Sequence, residues 1–142
     1  GGRSGAPDAG WPWPTSQDQR TRRQMIAHIV LFSPKDGLNE SEKRSLAQSV
    51  LNCCRSISTI KRATVGRSIV VDSGRARDFG HEAYEFAACL EFSTTEDLVS
   101  YLNHPMHQTL GRLFWECCAK TTISEIEVVD LASNSAVDML VK

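Results

Sequence analysis

Apolar and polar positions along the chain change period several times, and each change marks an element. Residues 25–33, Met-Ile-Ala-His-Ile-Val-Leu-Phe-Ser, are short, β-branched and closed by Pro34 and Gly37, which predicts a strand. Both parities of this strand are largely apolar: Ile26, Val30 and Phe32 on one face, Ala27, Ile29 and Leu31 on the other. A strand apolar on both faces is covered on both, and a single layer of helices covers only one. The period then turns helical. Asn39 starts a helix that ends near Ser56, with Glu40 and Glu42 in its first turn and Leu46, Ala47, Val50, Leu51 and Cys54 at helical spacing. Residues 60–71 predict a second strand, in which Gly66 marks a bulge or a close backbone approach.

Residues 72–83 carry Gly74 and Gly80 among charged side chains and read as a surface loop. From Tyr84 to Phe92 the pattern alternates, with Tyr84, Phe86, Ala88, Leu90 and Phe92 against Glu85, Ala87, Cys89 and Glu91, so a third strand is expected. Ser93-Thr94-Thr95-Glu96 has the form of a capping box with Ser93 as N-cap, opening a helix to about Asn103. Pro105 suits the first position of another helix, whose stripe is Met106, Leu110, Leu113, Phe114 and Cys117. Residues 123–130 predict a last strand, and residues 131–142 a tail with at most one weak amphipathic turn. The order β-α-β-β-α-β is the split βαβ pattern of ferredoxin-like α+β folds.

Composition narrows the function classes. The 142 residues suffice for one domain, and 41% hydrophobic with 23% charged residues is ordinary globular usage, which argues against disorder, coiled coil and collagen. No apolar run approaches the length of a membrane span. Sixteen Lys and Arg against 17 Asp and Glu leave a formal charge of -1, so neither nucleic acid nor an acidic membrane is an expected partner. The cysteines are Cys53, Cys54, Cys89, Cys117 and Cys118. Their number is odd, and adjacent residues on a helix point about 100° apart, which suits neither a disulfide nor a shared metal. They read as small buried hydrophobes of a reducing compartment, which makes the cytoplasm the expected location.

Residues 1–24 differ from the rest, with four glycines, Trp11-Pro12-Trp13-Pro14 and Arg20, Arg22 and Arg23. They lack the apolar stretch of a signal peptide and read as a disordered leader, the alternative being a Trp-Pro docking segment. The domain is then expected over 25–130. Deleting residues 1–24 is expected to leave the melting temperature nearly unchanged, because so little apolar area cannot offset the entropy of ordering. A drop of several degrees in a thermal melt would show that Trp11 and Trp13 dock.

Candidate chemistry rests on four histidines. His28 shares the parity of Val30 and Phe32, where a core role is the commoner one, and His81 lies in the long loop. Tyr101-Leu102-Asn103-His104-Pro105-Met106-His107 is the most informative stretch. His104 occupies an N-cap slot. His107 falls about 20° from Phe114 around the helix, at the border of the apolar stripe. There an imidazole reaches the rim of a buried space, and its ordinary pKa near 6.5 lets it take and return a proton at neutral pH. Tyr101, one turn earlier, is placed to orient an imidazole or donate to a substrate oxygen. Phosphate-binding glycine motifs, the Gly-x-Ser-x-Gly elbow and His-Glu-x-x-His are all missing from the chain, so nucleotide, serine-hydrolase and zinc-protease readings have no support. Asp72 and Asp78 offer only an unspecific cation loop, and no metal is expected.

Taken together, these stretches resemble the stress-responsive A/B barrel (Dabb) family. The residues that carry the likeness are His28-Ile29-Val30-Leu31-Phe32, Gly66 after Ile60, Glu91-Phe92-Ser93, the segment from Tyr101 to His107, and Val128-Val129-Asp130. The resemblance implies a ferredoxin-like domain that pairs sheet to sheet into a dimeric α/β barrel, with helices over the His28 face and a second copy over the Ile29 face. Family members include plant stress proteins and olivetolic acid cyclase, a polyketide cyclase in which a Tyr and a His act together on an aldol cyclisation. By position those roles fall on Tyr101 and His107, with the strand His at His28, while Phe86 stands where the cyclase has a further His.

The expected protein is therefore a homodimer with a small pocket for an apolar or polyketide-like organic molecule. That pocket lies between the helices and the sheet face carrying His28, Val30, Phe32, Ala88 and Leu90. The alternative is a cofactor-free cyclase or lyase with His107 as base and Tyr101 as its partner. A dimeric-barrel monooxygenase is the third reading.

Overall fold

The computed structural model describes residues 25–71, 83–133 and 135–142. The leader, the cation loop and His81 lie outside the described residues.

Among the described residues, four strands form one antiparallel sheet in the order β2-β3-β1-β4, with β1 Ile26–Pro34, β2 Arg62–Arg67, β3 Phe86–Phe92 and β4 Cys118–Glu127. Four helices join them: α1 Glu40–Ser56, α2 Thr95–Leu102, α3 Pro105–Cys117 and α4 Ser135–Leu140. The fold is α+β and ferredoxin-like, with α2 and α3 sharing the place of the second helix. Residues opposite one another on antiparallel strands share a face. Register thus puts Ile26, His28, Val30 and Phe32 on one face with Phe92, Leu90, Ala88 and Phe86. This face packs on Leu46, Val50 and Cys53 of α1, Leu98 and Tyr101 of α2, and Leu110 and Cys117 of α3. Ile29, Leu31, Ala87 and Cys89 point the other way, and none belongs to that core.

Local chemistry sets most boundaries. At the start of α1, Asn39 accepts from the Glu42 backbone N–H at 2.8 Å while the Glu42 side chain reaches back to the Asn39 N–H, a full capping box. Gly37 turns the chain into this helix at φ +85°, which L side chains rarely adopt.

Several sequence expectations are corrected. Thr94, and not Ser93, caps α2, accepting from Asp97 N–H at 3.1 Å. Ser93 follows directly on the last β3 residue, and the chain needs one more extended residue before it can turn. The second strand is shorter than residues 60–71, because cross-strand pairing with β3 ends at Arg67, and β3 begins at Phe86 and not Tyr84. Gly66 is no bulge. Register runs unbroken through its pairing with Ala87, and a Cβ built on it meets nothing within 4 Å. The final strand starts five residues earlier than expected and ends at Glu127. Cys118 is already extended (φ -100°, ψ 135°), and pairing continues along β1 as far as Pro34, with a register shift between Ser33 and Pro34. The tail contains the short helix α4, on which no residue is buried.

Candidate functional site

Three of the site residues anticipated from sequence come together at one end of the helix–sheet interface. Tyr101 is at their centre. It projects from the last turn of α2 and is 3% exposed. Its ring lies 4.7 Å from the His107 ring, 5.3 Å from Phe92 and 5.7 Å, edge-on, from His28. The α2–α3 junction makes this geometry. Asn103 closes α2 with its N–H on Val99 O, and the His104 N–H bonds to Tyr101 O. Pro105, which lacks an N–H to continue the first helix, opens the second. His104 caps that opening as expected, its Nδ1 accepting from the Met106 N–H at 3.1 Å. Its nitrogen is spent on the turn.

The His107 Nδ1 lies 3.0 Å from the Leu102 carbonyl oxygen. A carbonyl only accepts, so Nδ1 carries the proton and Nε2 keeps its lone pair. Burial pulls the His107 pKa below the ordinary imidazole value, the Leu102 hydrogen bond opposes this, and the nearby His28 adds to the lowering. The residue is a neutral base at neutral pH. Burial pushes the Tyr101 phenol well above its usual range, with the neighbouring Cys53 and Cys54 adding in the same direction. Its hydroxyl stays protonated and makes no hydrogen bond among the described residues. A free neutral imidazole nitrogen beside a protonated phenol is the pairing that proton transfer at carbon needs: one group takes the proton and the other donates to developing oxygen charge.

His28 is 3% exposed, and its Nδ1 lies 3.0 Å from Glu125 Oε1 on β4. Register sets the pair, since His28 stands opposite Glu125. Glu125 is 44% exposed and so brings a carboxylate from solvent to the edge of the buried cluster. Sequence reading missed it. The signal was there in the alternation of Ile123, Glu125 and Glu127, but assigning that parity to the His28 face requires the strand pairing.

Val30, Ala88 and Leu90 are packed core residues. Phe32 stands apart from the Tyr101 cluster. Four residues along β1 from His28, roughly 13 Å away, its ring packs on Phe86 and Phe114. There it borders a cavity of about 970 Å3 between α1 and the β2–β3 end of the sheet, lined also by Leu46, Val50, Val65 and Phe86. Of the anticipated site residues, only Phe32 touches this cavity. Among the described residues no group of His, Cys, Asp and Glu is arranged to hold a metal ion, and no helix is long and apolar enough to cross a membrane.

Residues 26–128 match the family model of the stress responsive A/B barrel domain, Dabb. The chain belongs to this family. Similar solved structures include a dimeric protein of unknown function with a ferredoxin-like fold from Bacteroides fragilis. It is 25% identical, with a TM-score of 0.55, covering 74% of this chain and 97% of its own. A Dabb family protein with a ferredoxin-like fold from Mesorhizobium loti is 20% identical at a TM-score of 0.59, over 75% of this chain and 98% of its own. The hydroxynitrile lyase of Passiflora edulis is 17% identical at a TM-score of 0.62, over 76% and 96%. The last two likenesses show the fold alone. No curated protein matches the chain.

Proposed function

We propose that this protein is a homodimer that binds a small, largely apolar organic molecule on the helix side of its sheet. The observation that carries the binding reading is the cavity of about 970 Å3 beneath α1, whose lining joins Phe32, Leu46, Val50 and Phe86 to a few charged groups. Small-molecule sites have this composition. Titrating the chain with a series of alkanols and alkanoic acids by calorimetry tests it. Saturable binding that weakens when Val50 is replaced by Gln is expected, and a flat titration across the series counts against the reading.

The homodimer reading is supported by Ile29, Leu31, Ala87 and Cys89, which point away from the core on the sheet's other face, and by the dimeric neighbour from Bacteroides fragilis. A second copy of the same sheet, related by a two-fold axis, would cover them in both protomers. Gly66 shares this face through its pairing with Ala87, and a Cβ there meets nothing within the protomer. Gly66→Trp is therefore expected to leave the monomer fold intact and to split the dimer. Sedimentation of a folded monomer at micromolar concentration is the expected result, and an unchanged dimer would place the interface elsewhere.

A second reading has its own support in the geometry at Tyr101. The unpartnered Nε2 of neutral His107 beside a protonated phenol fits a cofactor-free lyase or cyclase acting on an enolisable or polyketide-like substrate, and the hydroxynitrile lyase fold neighbour is of the lyase class. Turnover of cyanohydrins or of β-polyketones by the purified chain decides between a binding protein and an enzyme.

A further inference from the structure

The charged residues around the α1 cavity define what its occupant must carry. Its floor is apolar, while Lys35, Lys43 and Arg67 stand at its rim with Asp36 and Glu85. The ion pairs among the described residues are His28–Glu125, Arg44–Glu40 and Arg62–Glu91. None of the three rim cations has a carboxylate partner among them. Arg67 is the best placed. It follows Ala63 and Val65 on the inward parity of β2, opposite Phe86, and its guanidinium lies 5.7 Å from the centre of the Phe86 ring. This cation–π contact keeps the guanidinium beside the cavity wall, and its N–H donors hold no acceptor among the described residues. A guanidinium matches a carboxylate through two parallel hydrogen bonds.

We propose that the cavity takes a small molecule with a single carboxylate on an apolar body. The carboxylate sits on Arg67 and Lys43, and the body lies over Phe32, Leu46 and Val50. The charge count favours one negative charge. Among the described residues, three cations against two carboxylates leave the rim one positive charge in excess, which a monocarboxylate neutralises, whereas a doubly charged phosphate would be repelled by Asp36 and Glu85. A volume of about 970 Å3 is at the upper end of small-molecule sites, roughly 300–1,000 Å3, and accommodates a medium-length chain. The assignment rests on the ligand-binding reading above and names the ligand class for it.

Isothermal titration of the full chain with decanoate, decanol and decyltrimethylammonium tests the assignment. Decanoate is expected to bind at least about tenfold more tightly than decanol, the usual worth of a charge-assisted hydrogen bond, and the ammonium ion more weakly than either. Arg67→Gln is expected to abolish the preference while leaving decanol affinity unchanged. Lys43→Gln, on an exposed turn of α1, is expected to reduce it severalfold and keeps the test valid if the Arg67 variant does not fold. Equal binding of acid and alcohol, or a preference that survives both substitutions, overturns the carboxylate assignment and leaves the binding reading in place. Absence of binding by all three probes at millimolar concentration overturns both.

Discussion

Truncating Phe92 to alanine lowers the free energy of unfolding by about 3–5 kcal/mol. Phe92 is 0% exposed and ends β3 directly before the turn into α2. It pairs across the sheet with Ile26 and packs its ring against Tyr101 at 5.3 Å. Removing the ring leaves a void between sheet and helix, because β3 is held by pairing on both sides and α2 is capped at its start by Thr94. The walls have little freedom to collapse, and the cost of such a deletion grows with the cavity that remains. Urea denaturation at one fixed protein concentration checks this, since association makes apparent stability depend on concentration. A loss under about 1 kcal/mol would mean that Tyr101 moves into the space, and the Tyr101–His107 geometry would then change with it.

Under the lyase reading, His107→Gln and Tyr101→Phe each lower turnover by about 10²–10⁴-fold, the usual worth of a positioned general acid or base, while the chain stays folded. Glutamine retains a donor for Leu102 O but no basic nitrogen, and phenylalanine retains the ring packing on His28, Phe92 and His107 without the hydroxyl. Steady-state kinetics alongside circular dichroism separate lost chemistry from lost fold. The pH profile supplies a further check. Burial lowers the His107 pKa, so the neutral, basic form persists below the ordinary imidazole value. Activity should be flat near neutrality and fall on an acid limb whose midpoint lies below about 6.5. The same lowering stabilises the fold above the ordinary imidazole value, and this contribution is lost as pH falls toward the folded-state pKa. Full activity in both variants would move the chemistry away from Tyr101 and His107, to the His28–Glu125 pair first.

The periodicity of the chain was enough to determine the kind and order of its elements. Alternation in residues 86–92 and the 106, 110, 113, 114, 117 stripe encode which side of each element is buried, because solvent exclusion acts residue by residue along a regular backbone. Local capping chemistry was legible to within one position: Asn39 was anticipated at the start of α1, though its reciprocal box with Glu42 was not, and Thr94 displaced Ser93 by one residue. The nearness of Tyr101 to His107 was legible too, since both flank one helix junction and His-Pro fixes its turn.

Tertiary structure decided the rest. The length of β4 was hidden because Cys118 to Thr122 are extended only through pairing with β1, a partner more than 80 positions away in the chain. The His28–Glu125 bond has the same origin, its partners standing 97 positions apart in the chain. Val30, Ala88 and Leu90 share the expected face but are packed into one core with residues of α1, α2 and α3, while the open space lies beyond them at Phe32, where α1 and the β2–β3 end of the sheet do not close on one another. Parity states which face a side chain takes. Whether that face is packed or hollow depends on how far a helix stands off the sheet, which is set by the volumes of side chains from separate segments and cannot be read from any one of them.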